Sequence, residues 1–296
     1  MKRVLNFGSI NVDHVYTVEH FVRPGETLSC KDYQRFAGGK GLNQSIALAQ
    51  AGACVYHAGK VGAEDTWLMA LMKDKGVNTQ FVEAIDGASG HAVIQVNAEG
   101  ENAIMIVGGA NQLLIESDIE RIVANFGPDD YLLIQNEVNA VPQIIQAAKA
   151  RGLTIVFNPA PMNPQVLSYP LELVDILIVN ETEAQSLTGE IDPERIYDML
   201  SHRYPHAAIV LTLGQKGATY FSSQVRFHQP AEIVHVVDST GAGDTFIGFF
   251  LAELIKTNEP KAALAYATRA AAICVTRHGA ADSIPSRSEL DAQQPI

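Results

Sequence analysis

The sequence predicts an α/β fold, a three-layer domain with a central, mostly parallel β-sheet flanked by helices, plus a small β-sheet set apart from it. Three observations lead there. Short β-rich runs alternate with amphipathic stretches through most of the 296 residues, as happens when parallel strands are joined by crossover helices. The helical stretches stop at Gly152, Gly189 and the group 258–260, where glycine, asparagine and proline end a helix. Two segments, 27–36 and 90–107, break the rhythm with a period of two, which no strand–helix–strand unit accommodates.

In chain order, "RVLNFG" is an apolar first strand and "LNQSIALAQAG" the helix after it. Next come the strand "YLLIQNE", the helix "VPQIIQAAKARG" and the strand "LTIVFN". Further strands are "VDILIVN", "AAIVLTLG" and "EIVHVVD", with helices over 181–187, 193–201, 243–255 and 260–276. The second irregular segment turns at "NAEGEN". Either a separate sheet covering a cleft or an ordinary edge meander fits these two segments. The organisation expected is a single domain, 1–296, with insertions near 14–36 and 89–107.

Composition limits the function. The chain is 47% hydrophobic, with 21 Lys and Arg against 33 Asp and Glu and a formal net charge of −12. Without a basic tract, nucleic acid is not expected as a main partner. The apolar runs stay below the roughly 18 to 20 residues that cross a bilayer, and "MKRVLNFGSINVD" turns polar too soon for a signal peptide. A soluble, cytoplasmic protein is expected. Cys30, Cys54 and Cys274 lack CxxC spacing and read as reduced core thiols. The nine histidines form no HExxH or HxH pattern, so a histidine-built metal site is not expected.

The glycine-rich "VVDSTGAGDTFIGFF" joins an apolar run to a helix. Taken alone, Gly241 and Gly243 serve a tight turn and Asp244 is a first-turn acid favoured by the helix dipole. A nucleotide fingerprint of the form GxGxxG fails because its last position is Phe246, and no Walker A loop surrounds Gly39 and Lys40. A phosphoryl-transfer turn accounts for all three residues: backbone N–H groups at a helix start bind the migrating group, and Asp244 takes the proton.

Three other segments place polar residues together. In "GSINVD", Asn11 and Asp13 lie on one side of a strand, suited to two hydroxyls of one molecule or to an Asx turn. "AGGKGLNQ" sets Gly38, Gly39 and Gly41 around Lys40 before a helix carrying Asn43, more glycine than a cap needs. "VNETEAQ" puts Asn180 and Glu183 one turn apart at a strand-to-helix junction, where open α/β sheets bind ligands and where capping acids also occur.

The set "GSINVDH", "PGET", "AGGKGLNQ", "NPAP", "NETEA", "LTLGQKG" and "DSTGAGDTF", in this order from Gly8 to about Pro285, resembles the ribokinase-like (PfkB) family of sugar kinases. The resemblance implies a ribokinase-like fold with a β lid that often pairs with another subunit's lid, hence a homodimer. It implies Asp244 as catalytic base and Gly241, Ala242 and Gly243 as the anion hole. Asn11, Asp13, Gly39, Lys40, Asn43 and Glu137 match sugar-binding positions, with Ala92 and Ile94 as an apolar cover. Thr212, Gly214 and Thr268 match nucleotide contacts. Asn180 and Glu183 match the box that organises Mg2+ and the phosphates of ATP, Glu183 through water. For K+, the family set carries over as Asp238, Thr240, Cys274, Arg277, Gly279 and Ser283. Ser239, Leu42 and the bulky "FIGFF" depart from the usual pattern without removing a catalytic polar group.

The substrate expected is an unphosphorylated sugar, D-ribose first. A second phosphate calls for Arg or Lys on the lid, and none stands between Lys75 and Arg121, although Lys31 and Arg35 lie on the first lid segment. A kinase for fructose, deoxyribose or a nucleoside, and a binding protein without turnover, are the alternatives.

Overall fold

The computed structural model describes residues 2–292. Its main sheet has nine strands in the order β13-β12-β11-β10-β9-β8-β1-β4-β5. These are β1 (Arg3–Phe7), β4 (Cys54–Gly62), β5 (Asn78–Ile85), β8 (Tyr131–Gln135), β9 (Thr154–Asn158), β10 (Ile176–Asn180), β11 (Ala208–Thr212), β12 (Ala218–Phe221) and β13 (Arg226–Gln229). From β5 to β11 all pairs are parallel, and β12 and β13 add antiparallel. A second sheet, β3-β2-β6-β7, joins β2 (Asn11–Thr17), β3 (Asp32–Gly38), β6 (Gly90–Val96) and β7 (Asn102–Val107).

Strands buried on both faces explain the continuous apolar runs. In β1, Val4 joins one core cluster while Leu5 and Phe7 join the other. The first cluster lies under α1 (Lys40–Gln50), α2 (Trp67–Asp74), α7 (Ala242–Thr257) and α8 (Pro260–Cys274). The second lies under α3 (Glu116–Val123), α4 (Val141–Ala150), α5 (Glu181–Thr188) and α6 (Pro193–Arg203). A side chain at Gly248 would overlap Ala47 and Leu48, so α7 lies against α1 at a separation only glycine allows. That contact sets Asn43 and Gln44 beside the start of α7.

Several expectations are corrected. "EIVHVVD" is not a strand: β13 ends at Gln229, and 230–238 runs irregularly with Ile233 96% exposed. Its Val and Ile content imitates a strand, but no described strand pairs with it and Val236 and Val237 are exposed as well. Residues 27–31 are likewise irregular, and only Asp32–Gly38 pairs. The hairpin β12–β13, closed by the Ser222 N–H on the Val225 carbonyl at 2.9 Å, and the strands β4 and β5 extend the sheet beyond the sequence reading. Of the cysteines only Cys274 is buried; Cys30 is exposed and Cys54 half-buried, because Cys30 lies in the irregular stretch before β3. No helix among the described residues is long and apolar enough to cross a membrane.

Candidate active site

The site forms where β1, β2, α1, β8 and α7 converge, beyond the carboxyl ends of the parallel strands. Glycine does three different things at the start of α1. Gly39 sits at φ 93° with a Cβ position 3.0 Å from the Ser9 carbonyl oxygen. A side chain at Gly38 would overlap the Asp13 carboxyl, and one at Gly41 would overlap Gly8 and Ser9. The first turn of α1 is thereby pressed onto the β1–β2 connection.

Asp244 lies in the first turn of α7, almost wholly buried. Gln44 Nε2 donates to its Oδ1 at 2.8 Å and Asn43 Nδ2 to its Oδ2 at 3.1 Å. Burial pushes the carboxyl above the ordinary aspartate value, opposed by the Lys40 charge and these two amides. Gly241 takes φ +75°, which supplies the turn, whereas a side chain at Gly243 would meet nothing within 4 Å. The two glycines are therefore different in kind: Gly241 shapes the chain, and Gly243 borders open space beside the base. The Ala242 N–H turns back to the Ser239 carbonyl at 3.3 Å, while helix-start N–H groups beyond it have no carbonyl of their own helix to bond.

Four carboxylates among the described residues act on the Lys40 charge, none of them within 4.0 Å of it. Asp244 is the strongest of the charges that raise its pKa, followed by Glu137, Glu183 and Asp13, against the opposing effect of burial. Glu137 Oε2 accepts from the Ser9 hydroxyl and from the Lys40 backbone N–H at 2.9 Å, and burial raises its pKa. Asp13 is pushed up to about 6, first by burial and then by Glu137. Asn11 Oδ1 accepts from Asn111 Nδ2 at 2.7 Å. Asn43 Oδ1 is buried and has no protein partner among the described residues. Ala92 is the register partner of Asp13, and Ile94 stands two residues further on the same face.

The nucleotide and cation candidates lie on adjoining elements. Asn180 caps α5 by accepting from the Glu183 N–H at 2.8 Å, and Glu183 returns bonds to the Asn180 N–H and Nδ2, each at 3.0 Å. Glu183 is buried, which raises its pKa; a single fixed carboxylate suits a cation that keeps its water, as Mg2+ does. Thr212 is the register partner of Asn180, and Gly214 begins the turn after β11. The Thr268 hydroxyl is committed to the Leu264 carbonyl of its own helix at 2.8 Å.

Asp238 accepts from the Thr240 N–H and hydroxyl at 2.9 and 2.6 Å and from the Gly279 N–H at 2.9 Å. Its backbone N–H and that of Val237 reach the Val275 carbonyl. A Cβ on Gly241 would stand 3.0 Å from Ala280, so the loop 274–283 rests against the glycine turn. Ser283 Oγ lies 3.1 Å from Cys274 Sγ and donates to the Ala280 carbonyl at 2.7 Å. The Arg277 side chain pairs with Glu289 at 2.9 Å, leaving only its carbonyl as a candidate ligand. A carboxylate, a hydroxyl and loop carbonyls form an oxygen donor set that fits K+.

Sequence reading passed over Ser9, Asn111, Gln44, Asn6, Gln135 and Asn158. The last three are amides in mainly apolar strands, "RVLNF", "YLLIQ" and "TIVFN", and all are buried. An amide recurring in three neighbouring apolar strands was the available signal, because a buried amide needs partners.

A buried acid beside open space at a helix start, with a polar cluster under a small sheet, is the arrangement that a small-molecule kinase on an α/β scaffold calls for. The chain belongs to the pfkB family of carbohydrate kinases, which it matches over residues 1–287. It is similar to the ribokinase of Staphylococcus aureus (strain COL), 36% identical over 303 residues and covering 98% of both chains. It is also similar to the deoxyribokinase of Salmonella typhi, 34% identical over 298 residues and covering 96% of both. Among solved structures it resembles Arabidopsis thaliana ribokinase complexed with ribose and ATP, at 31% identity and a TM-score of 0.86, covering 98% of this chain and 97% of that one.

Proposed function

We propose that the protein transfers the γ-phosphoryl group of ATP to the primary hydroxyl of D-ribose, giving ribose 5-phosphate and ADP. The observation that carries this reading is the buried Asp244, held by two amides beside the open space at Gly243. The sugar oxygen attacks the γ-phosphorus, its proton passes to Asp244, and the bond to the ADP oxygen breaks. Backbone N–H groups at Gly241 and Gly243, joined by that of Ala242 when it leaves the Ser239 carbonyl, stabilise the transferring group, so positioning and charge supply most of the rate. Asn11, Asp13, Gly39, Lys40, Asn43 and Glu137 bind the sugar hydroxyls, and the unpaired Asn43 Oδ1 accepts one. Ala92 and Ile94 cover the ring. Thr212 and Gly214 contact the nucleotide; Thr268, its hydroxyl already bonded within α8, contributes packing near the base.

Asn180 and Glu183 would hold hydrated Mg2+, which would supply positive charge to the phosphates of ATP. Asp238, Ser283 and carbonyls of Thr240, Cys274, Arg277 and Gly279 would hold K+, which would add positive potential to the glycine turn. The small sheet closes over the sugar as a lid inserted in one domain. Its edge strand β7 exposes Ile104, Met105, Ile106 and Val107 in succession, and covering such an edge supports pairing with a second copy. The protein works in the cytoplasm.

A free sugar is favoured over a sugar phosphate by the register of β2 and β3. Arg35 pairs with His14 and Phe36 with Asp13, so Arg35 points to the face away from Asp13 and supplies no charge to the site. Deoxyribose is the second reading, favoured by the similarity to a deoxyribokinase. A coupled assay of ADP release tests the choice. Ribose is expected to exceed 2-deoxyribose and ribose 5-phosphate in kcat/KM, since a missing hydroxyl strands a buried polar group at about 1–3 kcal/mol. A phosphorylated sugar outperforming every free sugar overturns the reading.

A further inference from the structure

Behind Asp244 runs a chain of buried polar side chains whose donors and acceptors can be assigned from one end to the other. The Gly8 carbonyl can only accept, so the hydrogen between it and His57 Nε2, at 3.1 Å, belongs to the ring. His57 Nδ1 is then the acceptor, and the Ser45 hydroxyl donates to it at 2.8 Å. Having given its only hydrogen, Ser45 Oγ accepts from Asn6 Nδ2 at 2.8 Å, whose other hydrogen goes to the Gly41 carbonyl at 2.9 Å. Asn6 Oδ1 accepts from Gln135 Nε2 at 3.1 Å, and the same nitrogen donates to Gln44 Oε1 at 2.7 Å. Gln44 Nε2 therefore faces outward as a donor, to Asp244 Oδ1 at 2.8 Å and Asn158 Oδ1 at 3.2 Å. Asn6, Gln44, Ser45 and His57 are wholly buried and Gln135 is 1% exposed, and of the side-chain polar atoms of these five only Gln135 Oε1 has no partner among the described residues.

We propose that His57, Ser45, Asn6, Gln135 and Gln44 are positioning residues that together hold the Asp244 carboxylate as an oriented proton acceptor, with His57 in its neutral Nε2–H tautomer as the fixed end. This rests on the reading of Asp244 as the base. Each link forces the next: were the ring to donate through Nδ1, the Ser45 hydrogen would lose its acceptor, and reversal of the Gln44 amide would set an oxygen against a carboxylate. Burial lowers the His57 pKa to about 4, which keeps the ring neutral where the enzyme works. The charged groups acting on Asp244 are Lys40, which favours its ionised form, and Glu137 and Glu183, which face it from other elements. Gln44 is the donor that works alongside Lys40.

The test uses the full chain in three forms, wild type, Gln44→Met and Asp244→Asn, with kcat and sugar KM measured across pH and the His57 ring nitrogens followed by 15N NMR in the wild type. Gln44→Met keeps similar volume and removes the donor. It is expected to lower kcat roughly tenfold to a hundredfold, to move the acid limb of the kcat profile to higher pH, and to leave sugar KM within about twofold. His57 is expected to show a protonated Nε2 and a bare Nδ1 from pH 5.5 to 8. An unmoved acid limb, a His57 hydrogen on Nδ1 or a cationic ring overturns the chain. Should Gln44→Met fail to fold, the wild-type ring nitrogens decide it. Retained turnover in Asp244→Asn instead removes the base and with it the target of the chain, whereas lost turnover there with an unmoved limb in Gln44→Met overturns the chain alone.

Discussion

Asp13→Asn is expected to make the protein more stable and a poorer sugar binder at the same time. The folded protein holds the Asp13 carboxyl at about 6 against an ordinary value of 3.8, because burial and the neighbouring Glu137 disfavour its charge. A group whose pKa is raised on folding binds its proton more tightly in the native state, so stability falls as pH rises from about 4 to about 6, and the full penalty stands above that. The rise corresponds to at most ~3 kcal/mol. That rise already includes the opposing Lys40 charge, so up to ~3 kcal/mol is recovered by a neutral amide of the same shape, or about 5 °C in melting temperature for a chain of this length. Thermal melts at pH 8 should show that gain, and melts at pH 4 should show almost none. Sugar KM should rise tenfold or more, because Asn replaces an anionic acceptor by a neutral one, while KM for ATP stays near the wild-type value. A variant that melts lower than wild type at pH 8, or by the same increment at both pH values, refutes the reasoning that a desolvated, charge-crowded carboxylate is maintained there for binding.

Two further outcomes follow from the glycine turn and the small sheet. Turnover is expected to be higher in potassium than in sodium buffers, since the Asp238 and 274–283 oxygens adjoin Gly241; equal rates across a full titration of both salts remove that site. Met105→Arg with Ile106→Glu on β7 should convert a dimer to a monomer at micromolar concentration by sedimentation, and a wild-type mass of one chain contradicts the pairing.

The sequence made some of this architecture readable and hid the rest for physical reasons. Helices α4, α5 and α7 were legible because Gly152, Gly189 and Asn258 end them and an apolar stripe fills them. Asp244, Lys40 and Asn43 were legible because glycine clusters mark places where backbone must approach something closely. Strand β4, "CVYHAGKVG", was not, since its His57, Lys60 and glycines disguise a buried strand. The hairpin β12–β13 ends at an edge with half-exposed residues and carries little apolar signal. The segment 230–238 misled in the opposite sense, being rich in Val and Ile yet unpaired. The buried amides were the largest omission: Asn6, Gln135 and Asn158 each look like a tolerated polar residue in its own strand, and only the sheet order, with β1 beside β8 beside β9, brings them to one place below α1.

The central claim is that Asp244 removes the proton from the sugar hydroxyl during phosphoryl transfer. Asp244→Asn keeps the shape and an oxygen that accepts from Gln44, with its amide nitrogen bonding to Asn43 when that amide turns its oxygen inward, while abolishing the base, so single-turnover and steady-state ADP release with ribose and ATP tests the claim directly. The account predicts a folded variant that binds both substrates with near wild-type affinity and turns over roughly 10² to 10⁴ times more slowly. Turnover within a few-fold of wild type would contradict it.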